Sequence, residues 1–308
     1  MRFFLKRALI SVFTLFCVIT IVFFIIHLIP GDPVQLMLGE GAQQADILKL
    51  RKELGLDKPV GVQYKNFLKD IFSGNLGNSL IKRESVKSII MERVPSTVYL
   101  AIGGMIVAIL IAFPLGIFSS KKSNSPLEKL TTGLSVLGIA IPNFVLGPIL
   151  IILFSIYLGI FPVSGDSSLM HFILPSFTLG TGLAAILIRI IKASLEEEKR
   201  KSYVENFKLI GLPDEKLWKF HIIKNAMVPI ITVLALQFGA LLTGTIITET
   251  VFSIQGMGTL LIESIKARDY PVVQGLIIFI SSVYIIANFL ADIVYLILDP
   301  RIRKGVIG

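Results

Sequence analysis

Six stretches of this 308-residue chain are apolar over the length needed to cross a lipid bilayer, and no other feature restricts the fold as severely. They lie at residues 9–29, 98–118, 130–160, 173–191, 228–248 and 272–298. The first, at about 21 residues and ~1.5 Å of rise per residue, matches a hydrocarbon core of ~30 Å. Hydrophobic residues make up 54% of the chain and mean hydropathy is +0.79, far above a soluble domain. The reading is an all-α polytopic membrane protein with six transmembrane helices.

Arg2, Lys6 and Arg7 precede the first apolar run. That run is too long for a signal peptide and lacks a small-residue cleavage site, so it reads as an uncleaved span. Pro30, Gly31, Asp32 and Pro33 form a helix stop and turn. Residues 30–93 are polar, with amphipathic pieces at 46–54 and 62–71 and a Gly/Asn-rich turn at 73–79. A lobe of about 60 residues is too small for an independent catalytic domain. The third apolar stretch exceeds one span, and Pro142 and Pro148 interrupt it; it reads as one bent helix.

Charge sets the orientation. Lys and Arg gather at the N-terminus, in the loop with Lys121, Lys122 and Lys129, across 192–228, and in the tail with Arg301, Arg303 and Lys304. The loop at 161–172 has none, and that at 249–271 has only Lys266 and Arg268. The positive-inside rule then places both termini and the 192–228 interval in the cytoplasm. It also accounts for the net charge of +9 without a nucleic-acid partner. The chain divides into an N-terminus and first span (1–29), an extracytoplasmic lobe (30–93), a five-helix core (94–298) with a cytoplasmic elbow (192–228), and a cytoplasmic tail (299–308).

The elbow is polar, yet it does not read as a linker. Tyr203, Val204, Phe207 and Ile210 fall at helical spacing, as do Leu217, Phe220 and Lys224, with Trp218 and Ile222 beside them. Gly211, Leu212 and Pro213 separate the two runs: glycine suits the left-handed residue that closes a helix, and proline the first turn of the next. Asp214 and Glu215 favour the positive end of that second helix. The pattern predicts helix, sharp turn, helix, with Phe207, Trp218 and Phe220 presented to something that docks.

The chain carries little chemistry of its own. It has no GxxxxGK[ST] phosphate loop and no HExxH. One cysteine, Cys17, excludes a disulfide framework, and His27, His171 and His221 are too scattered for a clustered metal site. An intramembrane serine hydrolase would need a histidine on a neighbouring span, and the last two spans have none. Glu249, at the outer end of the fifth span, and Asp292, near the inner end of the sixth, could line a pathway or pair with a neighbouring helix. No acid lies at a span centre, which argues against proton or sodium coupling. What remains is a pathway without an energy source and an elbow shaped for a partner.

These residues resemble a known family. The elbow is similar to the EAA-type coupling loop of bacterial ABC-importer permeases, in the dipeptide/oligopeptide/nickel branch, where it runs DYV-x-x-ARAKGL and, a dozen residues on, RNA-x-x-P. Tyr203, Val204, Gly211, Leu212, His221, Asn225, Ala226 and Pro229 keep that frame. Further family-like strings follow in order: LIPGDP at 28–33, LGLDKP at 54–59, IPNF at 141–144, FPVSG at 161–165 and ILPSFTLG at 173–180. TETVFSIQGMG at 248–258, RDYPVVQG at 268–275 and LDPRIR at 298–303 complete the set. The departures sit in the first elbow helix, where Ser202, Phe207, Lys208, Leu209 and Ile210 replace the family's Asp, Ala-Arg-Ala and Lys.

The resemblance implies the ABC type I importer permease fold and a transport subunit without its own ATPase site. Its implied partners are a second, homologous permease, two cytoplasmic ABC ATPases that bind ATP and Mg, an extracytoplasmic solute-binding protein and the lipid bilayer. The chain itself would hold no cofactor and no metal. The implied site is the elbow, from Tyr203 through Pro213 and Trp218 to Pro229, and the implied location is the bacterial cytoplasmic (inner) membrane. Peptides, oligopeptide or dipeptide, are the implied substrate class, with nickel or a metal chelate as the alternative from the same branch.

Overall fold

The computed structural model describes residues 2–28, 34, 38, 43–53, 55–122 and 125–298. The turn expected at Pro30 to Pro33 and the tail at 299–308 lie outside the described residues. Described residues are almost wholly helical: α1 Arg2–Leu28, α2 Gln44–Glu53, α3 Val60–Phe72, α4 Val86–Lys121, α5 Pro126–Ala140, α6 Asn143–Leu150, α7 Ile173–Lys199 and α8 Ser202–Leu209. There follow α9 Asp214–Leu217, α10 Ile223–Gly244, α11 Ile246–Val251, α12 Met257–Lys266 and α13 Tyr270–Leu298. Five helical runs among the described residues are long and apolar enough to cross a membrane, or six if one sharply bent pair counts as a single span.

The bundle is built on α4 and α7. Gly104, Ala108, Ala112 and Gly116 recur every fourth residue on α4 and are all buried. Helical geometry puts that spacing on one face, and small side chains there let two backbones approach closely. The partner face on α7 carries Ser176, Gly180 and Ala184. A Cβ placed on Gly180 would lie 2.7 Å from the Gly104 carbonyl oxygen, and one on Gly116 would lie 2.7 Å from Ile191 Cγ2. α10 packs on α13, and α1 lies along α13. There Ile19, Val22 and Ile278 are buried together, and the α3 residues Phe67, Leu68 and Ile71 pack onto them. The lobe is therefore seated on the first and last long helices.

α4 begins at Val86, twelve residues before the apolar stretch that announced it. Lys87, Glu92 and Arg93 made its first two turns look like part of the lobe. The third stretch is broken rather than bent, for its two arms meet at 103°. Pro142 is the cause: the residue before a proline avoids helical dihedrals, and Ile141 sits at φ −87°, ψ 113°. Upstream, the Ser125 hydroxyl caps α5 by accepting from the Glu128 N–H. Lys192 of α7 then holds Glu128 at 2.5 Å, tying the start of α5 to the main pair.

Candidate coupling site

The elbow joins α7 to α10. At the end of α8, Gly211 adopts φ 77°, in the left-handed region that favours glycine. The Leu212 N–H donates to the Phe207 carbonyl and the Gly211 N–H to the Lys208 carbonyl, both at 3.0 Å. This pair of bonds is the Schellman closure, which satisfies carbonyls a helix end would otherwise leave open. Pro213 caps the next helix at φ −57°, one position earlier than a first-turn proline. That helix does not stop. α9 passes through a π-helical turn, Trp218–Ile222, directly into α10. The second arm of the elbow is thus the end of a membrane span, and any displacement of the turn is delivered to that span.

Within the family-like frame Val204 and Ala226 are buried, Tyr203, Leu212 and His221 are half-buried, and Gly211, Asn225 and Pro229 are exposed. Val204, Leu217, Ile222 and Ala226 are buried in one cluster with Leu187, Ile191 and Leu195 of α7 and with Ala108 and Ala112 of α4. The Tyr203 hydroxyl donates to Glu198 Oε2 at 2.9 Å and accepts from Asn225 Nδ2 at 3.3 Å. Burial, reinforced by the Glu198 carboxylate, pushes the Tyr203 phenol above its ordinary range, while Asn225 pulls the other way. Glu198, itself buried, also holds Lys201. The Phe207 ring lies 4.4 Å from the His221 ring and 6.0 Å from that of Tyr203. Pro229 sits within α10.

Two of the three aromatics expected on the docking surface are turned in. Phe207 stacks on His221, and Trp218 lies between the ammonium groups of Lys121 and Lys199, 5.3 and 5.6 Å from its ring centre. Phe220 alone is exposed, at 57%. Ile210 is also displaced from the inward face on which its spacing put it. The helix closes at Leu209, and Ile210, the C-cap at φ −83° and ψ 7°, stands outward just before the left-handed Gly211. Leu209 and Ile210 are 84% and 76% exposed, immediately before Gly211. Both are among the departures from the family's first elbow helix, large and apolar where the family places small or basic residues.

Both acids have partners on neighbouring elements. Glu249 is fully buried. Its Oε1 accepts from Thr97 and Thr245 at 2.7 Å, and its Oε2 from the Gly258 and Thr259 N–H groups at 2.8 and 3.0 Å. It therefore pins the N-terminus of α12 to α4. Asp292 pairs with Arg7 at 3.1 Å, joining α13 to α1. His171 takes local partners, Ser168 at 2.9 Å and Ser167 at 3.4 Å, and Asp166 accepts from Ser96 and the Gln255 N–H.

A bundle of long apolar helices with a helix–turn–helix elbow between two of them is the architecture of a polytopic membrane protein. The sequence places it more narrowly. Residues 104–304 match the binding-protein-dependent transport system inner membrane component model, and residues 1–101 match that family's N-terminal model. The chain belongs to this family, the inner-membrane permeases of ABC importers, which carry no ATPase site of their own. It is 37% identical over 303 residues to the glutathione transport system permease protein GsiC of Pectobacterium atrosepticum, covering 98% of this chain and 99% of that one. It is 36% identical, with the same coverage, to GsiC of Escherichia coli strain K12. Among solved structures, the MetNI methionine ABC transporter in an inward-facing conformation aligns with TM-score 0.60 at 13% identity, over 69% of this chain and 97% of that chain. An amino acid ABC transporter with histidines aligns with TM-score 0.54 at 16% identity, over 70% and 94%.

Proposed function

We propose that this chain forms half of the pathway of an ATP-driven importer of short peptides in a bacterial inner membrane. A second permease forms the other half. Two ATPases, which bind the ATP and Mg, grip the elbow from the cytoplasm, and a solute-binding protein delivers cargo at the lobe end. Both termini lie in the cytoplasm. Leu209 and Ile210 carry the reading: two large apolar side chains stand out on a charged loop whose other apolar residues, Phe220 excepted, are packed away. Such a knob, held rigid by the Schellman closure and feeding straight into α10, is suited to receive force and pass it to a span. The transition is a rigid-body switch with the elbow as its handle. Peptide as cargo is supported by whole-length similarity to glutathione permeases.

The test is co-purification and uptake with Gly211→Arg. A Cβ at Gly211 meets nothing within 4 Å, so the change acts on the left-handed backbone, not by collision. The expected result is release of the ATPases and loss of ATP-driven uptake of labelled glutathione and dipeptides while the spans stay folded. Retained ATPases with full uptake would overturn the docking role. Uptake of free nickel but of no peptide would overturn the cargo.

A further inference from the structure

Among the described residues other than glycine, φ is positive at three positions, and two of these are arginines that line one cavity. Arg83, in the loop ahead of α4, and Arg268, between α12 and α13, both sit at φ 57°. Arg268 closes α12 as Gly211 closes α8. Its N–H donates to the Ile265 carbonyl at 3.1 Å, and the Asp269 N–H donates to the Ser264 carbonyl at 2.9 Å. This is the Schellman pair, whose left-handed residue is usually glycine. A side chain in that conformation costs backbone energy, because Cβ crowds the following carbonyl. Glycine would relieve the strain at both positions, so what the chain gains there is the pair of guanidinium groups. Strained residues of this kind gather at ligand clamps, where the surrounding structure holds them in place.

The cavity, of about 1060 Å³, combines charged and apolar walls. Asp46 of α2 and Asp70 of α3 line it with the arginines, and Lys49 adds a third cation. All five charged residues are exposed, and neither aspartate carboxylate has a hydrogen bond or ion pair among the described residues. Phe67 and Ile71 of α3 and Ile278 of α13 supply the apolar part, and they pack in one cluster with Ile19 and Val22 of α1. Ile19 and Val22 belong to one candidate membrane span and Ile278 to another. Gln274, also on the cavity wall, donates to the Val22 carbonyl at 2.8 Å and ties these two spans together. The cavity is therefore walled by the lobe and seated on the spans themselves.

We infer that this cavity is a binding site for an aminophospholipid of the phosphatidylethanolamine type. A guanidinium presents a planar fork that matches phosphate oxygens, so Arg83 and Arg268 take the phosphodiester. The ammonium group is a donor only, and it goes to the carboxylates of Asp46 and Asp70. An acyl chain lies on Phe67, Ile71 and Ile278. A phosphate alone would leave both carboxylates without a cation, and a choline headgroup has no N–H to give them. A peptide would match the charges, but the apolar wall is continuous with two membrane spans, where an acyl chain is already at hand. Bound there, the lipid joins α2, α3 and α13 and fastens the lobe to the last span. The inference is independent of the cargo and of the ATPases.

The test uses the full-length chain, purified in detergent and stripped of lipid, with its melting temperature followed as defined lipids are added. Dioleoyl phosphatidylethanolamine should raise it saturably, since a ligand that binds only the folded state stabilises that state by mass action. Dioleoyl phosphatidylcholine and phosphatidylglycerol should need about tenfold more lipid for the same shift, each forfeiting the charge-assisted bonds to the aspartates. Glycerophosphoethanolamine, inorganic phosphate and a dipeptide should produce no shift. Arg83→Gly with Arg268→Gly should hold or raise the lipid-free melting temperature, because the strain is relieved, and should lose the response to phosphatidylethanolamine. Asp46→Asn with Asp70→Asn leaves the backbone alone and should erase the preference for phosphatidylethanolamine over phosphatidylcholine. If the glycine pair melts lower without lipid, the arginines also serve the fold and the aspartate pair decides: a preference kept there overturns the site. A full lipid response in the glycine pair would overturn it too. So would an equal response to all three lipids, or a shift produced by phosphate or the dipeptide alone.

Discussion

Replacing Leu209 and Ile210 together by alanine separates docking from packing, because their side chains are 84% and 76% exposed in the chain by itself. Burying a leucine or isoleucine side chain fully contributes about 1.5–3 kcal/mol. Alanine keeps the Cβ, so the pair should forfeit about 2–4 kcal/mol of any interface that covers it. At ~1.4 kcal/mol per decade this is roughly a 30- to 1000-fold loss of affinity. The fold should hardly respond, since surface changes of this kind stay within about 0.5 kcal/mol. The assay is paired: the fraction of ATPase retained on the purified permease across a dilution series, and the melting temperature of the permease alone. Trp218→Ala is the contrast, because it empties a packed site between Lys121 and Lys199 and should lower the melting temperature. Full ATPase retention by the Leu209/Ile210 variant would refute the reasoning. So would a fall in its melting temperature equal to that of Trp218→Ala, for the pair would then be part of the core.

Three other outcomes are expected. Gly180→Val pushes a side chain toward the Gly104 carbonyl and should destabilise the bundle by about 1–3 kcal/mol, read as a lower melting temperature in detergent. Glu249→Gln turns amide hydrogens toward the Gly258 and Thr259 N–H groups or toward Thr97 and Thr245, and loses bonds to a charged acceptor of about 1.5–3 kcal/mol; faster proteolysis of the 249–258 segment would report it. For Tyr203 the folded chain favours the neutral phenol. The stability it lends is whole below the ordinary tyrosine value near 10 and is lost as pH rises through the higher folded value. Protease resistance of the elbow should therefore hold through neutral pH and fall only in strong alkali, a dependence absent in Tyr203→Phe.

The spans and the glycine closure of α8 were legible because each rests on a local rule: length against bilayer thickness, and the dihedral freedom of Gly211. The inward or outward sense of the elbow's aromatics was not. Periodicity groups Phe207 with Tyr203 and Val204, but only the surrounding helices decide which face is covered, and here His221 and two lysines claim the rings. Pro142 announced an interruption without its angle, since the 103° depends on where Lys192 and the α7 surface hold the two arms. The first turns of α4 were hidden by their charges. The role of Glu249 could have been suspected from the glycines at 256 and 258, which leave room for a carboxylate, though its partner Thr97 lies 152 residues away.

The four-residue rhythm of Gly104, Ala108, Ala112 and Gly116 has a mechanical corollary. Two backbones touching along that ladder cannot slide or splay without prising open their closest contacts, so α4 and α7 tilt as a single girder. In the transport cycle proposed above the motion would then be taken up elsewhere, and the break at Ile141 and Pro142 is the place to look for it. Tying α4 to α7 by a cross-link should leave turnover intact, whereas bracing α5 against α6 across the joint should stall it.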